Sequence, residues 1–211
     1  MLRKLTRTAV KPRKMPTQAR SARTVETILE GAARVLEREG LEGFNTNLVA
    51  EHAGVSIGSL YQYFPKKEAL VAALIAHQAS ALRAAVLEAI DHAQGLPLPQ
   101  AVRLITRAVV VQHAKHPVLE RALEYEEQRL PVSEEQQALV ADTHAHLRGL
   151  LRRYRRELAV RDLHDATTTV QIIMRALVDS ALEREPFDPH AVEETVTRAV
   201  LSYLCFRAKE G

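Results

Sequence analysis

Apolar residues recur every three to four positions along most of the chain, which is the period of an α-helix that buries one face. No stretch alternates strictly between apolar and polar residues, as a half-buried strand does. The pattern therefore predicts an all-α fold of about nine helices. Scarce aromatic residues and abundant Ala, Leu, Val, Arg and Glu also favour helices over strands.

Capping residues and helix breakers predict where the helices begin and end. The first helix is expected to start at a cap on Ser21 or Thr24 and to end near Glu39, where Gly40 follows. The later helices are predicted from Lys67 towards His92, at 99–115, from Pro117 to before Pro131, from a Ser133–Gln136 capping box to about 158, at 163–184 after Asp162, and at 189–208 after Asp188.

Residues 54–67 form the stretch that says most about function. Gly54 follows an apolar-periodic segment, where a helix end favours a residue that tolerates positive φ, and Ser56 can cap a new, short helix. Leu60 and Phe64 mark its buried face, while its other faces carry two phenols and no charge. Such a pair of helices is typical of the helix-turn-helix that enters the DNA major groove. An αα-corner with exposed tyrosines is the alternative.

A helix-turn-helix at this place would use different side chains for different parts of a duplex. Gly58 would let the backbone approach closely, and Ser59 and Gln62 could bond base edges or phosphates. Ile57 suits a thymine methyl, and Thr46 is expected to cap the second helix near the DNA backbone. The predicted DNA contacts are Arg20, Arg23, Thr46, Asn47, Ser56, Ile57, Gly58, Ser59, Tyr61, Gln62, Tyr63, Lys66 and Lys67.

The run from Asn45 through Gly54 and the Ser56–Phe64 helix to Leu70 resembles the DNA-binding signature of the TetR family of transcription regulators. The resemblance covers roughly residues 20–75. Two positions depart from it: Ile57 stands where many relatives carry lysine, and Asn45 replaces a common threonine. The resemblance implies a DNA-binding domain at residues 20–67 and a helical effector-binding and dimerisation domain at 68–211.

In the resembled family the last two helices form a four-helix dimer interface, which places two recognition helices about one DNA turn apart, roughly 34–36 Å. Here the corresponding apolar stripes contain Val170, Ile173, Leu177, Val192, Val196, Val200 and Tyr203. The alternative is that these stripes close the core of a monomer. Candidate residues for a small-molecule effector pocket, taken from helix placement, are His113, Tyr125, His146 and Met174.

The charge of the chain is unevenly distributed. Residues 1–70 hold 12 Lys and Arg against 7 Asp and Glu, whereas residues 71–211 hold 17 against 19. The positive end is the end that carries the helix-turn-helix, as expected when one domain meets phosphates. Residues 1–19 are basic, contain two prolines and are expected to form a disordered arm. The arm could contact DNA, or it could simply be solvated. A sequence of this composition can also resemble a mitochondrial transit peptide.

The remaining composition indicates a soluble cytoplasmic protein without catalytic chemistry. The single cysteine, Cys205, allows no intramolecular disulfide, and no uninterrupted apolar run approaches membrane-spanning length. The histidine pairs His113/His116 and His144/His146 do not define a metal site, and no cofactor motif or nucleophile elbow occurs. The arginines at 152–156 are expected to form a solvated helix face, or alternatively a subsite for an acidic ligand.

These observations favour a homodimeric, ligand-responsive regulator that is released from a palindromic operator on double-stranded DNA by an unknown effector. The alternative is a helical ligand-binding or partner-binding protein that does not recognise DNA sequence. An enzyme is not expected.

Overall fold

The computed structural model describes residues 19–127, 133–184 and 186–206, without the side chains of residues 19, 20, 124, 125 and 127. Within these ranges the chain forms nine helices and no strand, which confirms the predicted all-α fold. They are α1 (Ala19–Gly43), α2 (Thr46–His52), α3 (Ile57–Tyr63), α4 (Lys67–His92), α5 (Leu98–Ala114), α6 (Pro117–Glu127), α7 (Glu134–Arg153), α8 (Leu163–Leu182) and α9 (Pro189–Cys205). The predicted arm lies outside the described residues except for Ala19.

Internal contacts divide the helices into two compact units. The first ends at Ala79 and also contains Val118–Gln136, and the second comprises Ser80–Pro117 and the described residues from Gln137 onward. Helix α4 therefore runs from one unit into the other, and most of α6 belongs to the first unit although α5 belongs to the second. This division by contact differs from the predicted domain boundary at residue 67.

Several predicted caps are confirmed by their hydrogen bonds. The backbone N–H of Ser133 donates to Gln136 Oε1 at 2.9 Å while Gln136 N–H donates to Ser133 Oγ at 3.2 Å, which is a reciprocal capping box. Asp162 caps α8 and Asp188 caps α9. Because the backbone N–H groups of Asp165 and His164 donate to the Asp162 carboxylate, they lower the pKa of that group.

Two predicted helix boundaries are wrong. Helix α1 already includes Ala19, the first described residue, so Ser21 and Thr24 lie inside the helix rather than at its cap. Its predicted stop at Gly40 is confirmed by a φ of 64° there, although a short helical segment continues to Gly43. Helix α7 ends at Arg153 instead of continuing to about residue 158, because the backbone after it forms turns whose hydrogen bonds join residues three positions apart. There the Arg155 guanidinium donates to two backbone oxygens, those of residues 160 and 161, at 2.7 and 2.9 Å.

The core of the first unit joins α1–α3 to the beginning of α4 and to α6. Leu70 and Leu74 of α4 are buried in it, and so are Leu119 and Leu123 of α6, which are 1% and 4% exposed. Gln78 of α4 also donates to Glu120 of α6 at 3.0 Å. Helix α6 is thus an integral part of the helix-turn-helix unit, a packing that the sequence analysis did not foresee.

The core of the second unit is built from α5, α7, α8, α9 and the later part of α4. Tyr154 is buried, which raises the pKa of its phenol, and its hydroxyl donates to the Leu96 carbonyl oxygen at 2.6 Å. Glu193 of α9 is also buried and accepts two bonds from Arg107 of α5, at 2.9 and 3.3 Å. These contacts tie α5 to α9 and anchor the turns after α7.

Helix α4 is long and apolar enough to cross a membrane by length and composition. The prediction concerned uninterrupted apolar runs, and His77, Gln78 and Arg83 do interrupt α4; the helix meets the membrane criterion only by its mean hydropathy, which its Ala- and Leu-rich composition raises. Core helices of globular proteins have the same character. Helix α4 behaves as one of these, since Leu70 and Leu74 lie in the first core and Val86 and Ile90 in the second.

Gly31 lies where α1 and α2 pack most closely. A Cβ added to Gly31 would lie 3.0 Å from Ala53 Cβ, 3.0 Å from Ala53 N and 3.1 Å from Val49 O, so the backbone of the neighbouring segment would have to move. We expect Gly31→Ala to lower the free energy of unfolding by about 1–3 kcal/mol, the usual effect of overpacking. Urea denaturation followed by circular dichroism measures this change.

Gly149 of α7 provides the matched control, because a Cβ there meets no atom within 4 Å. Gly149→Ala should leave stability unchanged or raise it by up to about 1 kcal/mol, since alanine favours helix. Equal stability changes in the two variants would show that the close approach at Gly31 is not a constraint.

Candidate nucleic-acid interface

The turn between α2 and α3 has the geometry predicted from its sequence. Gly54 adopts a φ of 64°, and the next residue, Val55, donates its N–H to the Ala50 carbonyl oxygen at 3.0 Å. Ser56 then caps α3, because its Oγ accepts the N–H of Ser59 at 3.1 Å. The turn therefore closes α2 and opens α3 within four residues, from Ala53 to Ser56.

Helix α3 has one buried face and one exposed face. Leu60 and Phe64 are 0% and 1% exposed, and they fix the helix on the core of the first unit. On the opposite face, Gly58 and Gln62 are exposed, while Ile57, three positions before Leu60 and therefore nearer the buried face, is 38% exposed. This outer face has hydrogen-bonding and apolar groups but no charge, so it is suited to contact base edges rather than only water.

The two tyrosines of α3 link this helix to its neighbours. The Tyr61 hydroxyl lies 3.1 Å from Thr46 Oγ1 of α2, and the half-buried Tyr63 hydroxyl lies 3.2 Å from Ser21 Oγ of α1. Ser59 Oγ, in turn, is 2.8 Å from Ser56 Oγ. A hydroxyl group can donate one hydrogen bond and accept others, so each of these side chains can still form a further hydrogen bond. These contacts brace α3, a role that the sequence analysis did not assign to them.

The cap of α2 differs from the prediction. Asn45 is the capping residue: its Oδ1 accepts the N–H of Leu48 at 3.0 Å. Thr46 is the first residue of α2, and its hydroxyl bonds to Tyr61 instead of capping the helix. Asparagine is a strong capping residue, which explains why Asn45 takes this position. Asn47, in the first turn of α2, is exposed.

The basic side chains near α3 lie in different environments. Lys67 donates from Nζ to the Leu41 carbonyl oxygen at 3.3 Å, and its ammonium lies 5.2 Å from the centre of the Phe44 ring. Lys66 and Arg23 are exposed, and the side chain of Arg20 is outside the described residues. Lys66 and Arg23 are therefore available to phosphates, while Lys67 also contributes to packing.

The three candidate effector residues whose side chains are described do not line one common cavity. Met174 lines an apolar cavity of about 20 Å³ in the second unit, formed by α5, α7, α8 and α9. His146 instead lies on an open cleft with Asp91 and Arg153. His113 is half-buried on α5 and lines neither, and the side chain of Tyr125 is outside the described residues.

The predicted interface stripes divide into two groups. Val170, Val196 and Val200 are 5%, 1% and 1% exposed and belong to the core of their own chain, as the monomer-core alternative proposed. The partly exposed members are Ile173, Leu177, Val192 and Tyr203. Next to them Ile172 is 61% exposed, a residue that the sequence analysis missed although it lies one position from Ile173.

Two family models match this sequence. The model for bacterial regulatory proteins of the tetR family matches residues 28–74, which include α2 and α3, and the model for the tetracyclin repressor-like C-terminal domain matches residues 97–204, more than half of the chain. The chain belongs to the TetR family. The resemblance predicted from residues 45–70 is confirmed, and with it a DNA-binding regulator fold. Helix α6 lies within the C-terminal family model although it packs in the first unit.

Solved TetR-family structures share the fold at low sequence identity. A TetR-family transcriptional regulator from Mesorhizobium loti has a TM-score of 0.69 at 16% identity over 90% of this chain and 100% of that one. PfmR from Thermus thermophilus has a TM-score of 0.62 at 21% identity over 84% and 96%. The fatty acid degradation regulator FadR from Bacillus halodurans has a TM-score of 0.67 at 17% identity over 85% and 98%. None of the curated proteins compared with the chain matches it.

Proposed function

We propose that this chain is a homodimeric transcription repressor that binds a near-palindromic operator through α3 and is released by a small-molecule effector. The observation that carries the proposal is the two-sided character of α3. Leu60 and Phe64 hold one face rigidly in the core, while Gly58 and Gln62 present a compact, uncharged, hydrogen-bonding face. A helix fixed in this way can distinguish base pairs in the major groove. The protein acts in the cytoplasm, without catalysis and without a cofactor.

Phosphate contacts supply affinity and fix the position of α3 on the duplex. The exposed Arg23 lies on α1 and the exposed Lys66 just before α4, so they flank the recognition helix in sequence. The hydroxyls of Tyr61 and Thr46 add neutral donors at the start of α2. Lys66, Arg23 and the basic residues before α1 contribute to the excess positive charge of the first 70 residues.

Dimerisation through α8 and α9 would pair two such helices. On α8 the side chains at i, i+3, i+4, i+7 and i+8 from Thr169 follow one helical face, which includes Ile172, Ile173 and Leu177. This face retains exposed apolar surface, with Ile172 61% exposed. A two-fold dimer places the same patch on both subunits, so a single apolar stripe suffices for a self-complementary interface.

Effector binding would reach the DNA-binding unit through covalent connections and the packing of α6. The chain passes between the two units within α4, near residue 117 and near residue 136. Helix α4 is one continuous helix, and Leu119 and Leu123 dock α6 into the helix-turn-helix core. An effector that binds better to the conformation with low DNA affinity would weaken operator binding, and DNA would weaken effector binding by the same factor.

The cavity beside Met174 favours an apolar effector. Its lining is almost wholly aliphatic, and the hydroxyl of its polar member, Thr167, already donates to the Leu163 carbonyl oxygen at 2.6 Å. A polar ligand group placed there would be left without a partner, which costs free energy. At about 20 Å³ the cavity must enlarge to hold an effector, so binding would repack α5, α7, α8 or α9.

Gln62→Ala should change base preference rather than weaken all DNA binding equally. A bidentate contact from Gln62 to a base edge would be worth about 1–3 kcal/mol, so discrimination at one operator position should fall roughly 5- to 150-fold. The measurement is fluorescence anisotropy on an operator series with every base pair varied in turn.

Lys66→Ala is the matched comparison for Gln62→Ala, because Lys66 is exposed. Lys67 is less suitable, since its ammonium group also contacts the Leu41 carbonyl oxygen and the Phe44 ring. It should weaken binding to all sequences alike and reduce the slope of log affinity against log salt by about 1 per subunit. If Gln62→Ala instead behaved like Lys66→Ala, α3 would not be the element that recognises sequence.

A further inference from the structure

The structure brings two histidines from different helices together. His144 Nε2 of α7 lies 3.0 Å from His164 Nδ1 of α8, and the ring centres are 4.6 Å apart at an interplanar angle of 62°. The pair was not predicted, because its members are 20 positions apart and the sequence analysis compared His144 only with its neighbour His146. In the structure His146 lies apart from the pair, with Nδ1 2.8 Å from the Asp142 carbonyl oxygen.

Hydrogen bonding defines which atoms of the pair are free to bind a ligand. His144 Nδ1 lies 3.0 Å from Gln171 Oε1, which is an acceptor, so this nitrogen carries the hydrogen. The neutral His144 ring therefore presents a lone pair at Nε2, directed towards His164 Nδ1. One proton occupies the space between the two nitrogens. Metal-binding histidines use this same arrangement, in which the second ring nitrogen donates to an oxygen that fixes the tautomer.

The separation of the nitrogens indicates the class of ion. With metal–nitrogen bonds of about 2.0–2.1 Å, a 3.0 Å separation corresponds to an angle of roughly 95° at the metal. Adjacent positions of a square-planar or tetragonal centre have this angle, and imidazole ligands in that geometry suit Cu²⁺ or Ni²⁺. A tetrahedral zinc ion would require the nitrogens to lie further apart.

The surroundings favour a cation and leave it accessible. His164 is exposed and His144 is half-buried, so solvent can reach both rings. The Asp162 carboxylate accepts the backbone N–H of His164 at 2.6 Å and places negative charge beside it, while the charge of Arg148 acts in the opposite sense. Within the described parts of the chain no third histidine, cysteine or carboxylate joins the pair, so water would complete the coordination.

We propose that His144 and His164 form a binding site for Cu²⁺ or Ni²⁺: the proton on His164 Nδ1 moves through solvent to Nε2 of the same ring, and the ion binds His144 Nε2 and His164 Nδ1. Gln171 is a positioning residue that holds His144 in the required tautomer. The ion would join α7 to α8 and thereby stabilise the second unit, since a ligand that binds the folded state raises its stability.

The test is isothermal titration calorimetry of NiCl₂ into the untagged full-length protein. We expect about one Ni²⁺ per chain, with affinity at least tenfold weaker in His144→Ala and His164→Ala. Gln171→Ala should also bind about 10–100-fold more weakly, as losses of such supporting contacts do. His146→Ala, an exposed histidine on the same helix as His144, should bind like the unmodified protein.

A spectroscopic measurement keeps the proposal testable if a variant folds poorly. Electron paramagnetic resonance of the unmodified protein with less than one equivalent of Cu²⁺ should show two coordinating imidazole nitrogens. No saturable Ni²⁺ binding, binding that survives His164→Ala in a correctly folded variant, or a Cu²⁺ spectrum with one nitrogen or none would overturn the proposal. DNA binding is not used as a readout, so the result is independent of the proposed regulatory function.

Discussion

Ile172→Glu is expected to convert the proposed dimer into monomers and to weaken operator binding by about 100-fold or more. Ile172 is 61% exposed in the single chain and lies on the α8 face that also carries Ile173 and Leu177, so a glutamate there costs the isolated subunit little. In a two-fold interface the same substitution would bury two unpaired carboxylates. A monomer binds only one half-site. It therefore loses the increase in affinity that a dimer gains by binding both half-sites at once, which is about 10²–10⁴-fold.

Val140→Glu serves as the control, because Val140 is 62% exposed, about as much as Ile172, but lies on α7 instead of α8. Analytical ultracentrifugation should show monomers for Ile172→Glu and dimers for Val140→Glu. A dimer that persists in Ile172→Glu would place the interface on another surface.

Leu119→Ala is expected to destabilise the helix-turn-helix unit by about 2–5 kcal/mol, although Leu119 lies more than 50 residues after α3 in sequence. The reason is that Leu119, 1% exposed, fills the first core together with Leu70 and Leu74 of α4. Truncation leaves a cavity that the surrounding helices can close only in part. Hydrogen exchange of the amides in α2 and α3 should accelerate, since these amides report the opening of that unit.

Val118→Ala is the control on the same helix, because Val118 is 40% exposed. It should change stability by no more than about 0.5 kcal/mol. If exchange in α2 and α3 were unchanged by Leu119→Ala while other amides accelerated, α6 would not belong to the DNA-binding unit.

Local signals in the sequence predicted the helix ends well where a side chain bonds to its own neighbourhood. Ser56, Asp162, Asp188 and the Ser133–Gln136 box all form the expected bonds, because the donor and acceptor are only two or three residues apart. The prediction of Thr46 as a cap was wrong, since two adjacent residues were both capable of capping and the backbone conformation selected Asn45.

Contacts between distant residues were not accessible from sequence patterns. The apolar stripe of α6 shows that one face is buried but not which core receives it, so the docking of Leu119 and Leu123 emerged only from the structure. The same holds for Tyr61, whose exposure was predicted but whose bond to Thr46 was not. For the stripes of α8 and α9, periodicity marked the apolar positions without separating the buried Val196 from the exposed Ile172.

The helix-turn-helix was predicted more completely than the proposed effector pocket, and the reason is physical. The helix-turn-helix is short and continuous in sequence, so Gly54, Ser56 and the buried Leu60 define its geometry locally. A pocket between helices depends on side chains from four separate segments. Helix placement gave Met174 as a candidate lining residue, and Met174 does line the apolar cavity, but its neighbours there were not predicted.

The central claim is that α3 recognises a specific DNA sequence. The most direct test is to select DNA from a random library with the purified protein, and then to measure fluorescence anisotropy on the enriched sequence and on a scrambled version across a salt series. We expect a near-palindromic sequence that is bound at least about 10³-fold more tightly than the scrambled DNA at physiological salt. Failure to enrich any sequence, with equally weak binding to both DNAs that disappears as salt rises, would contradict it.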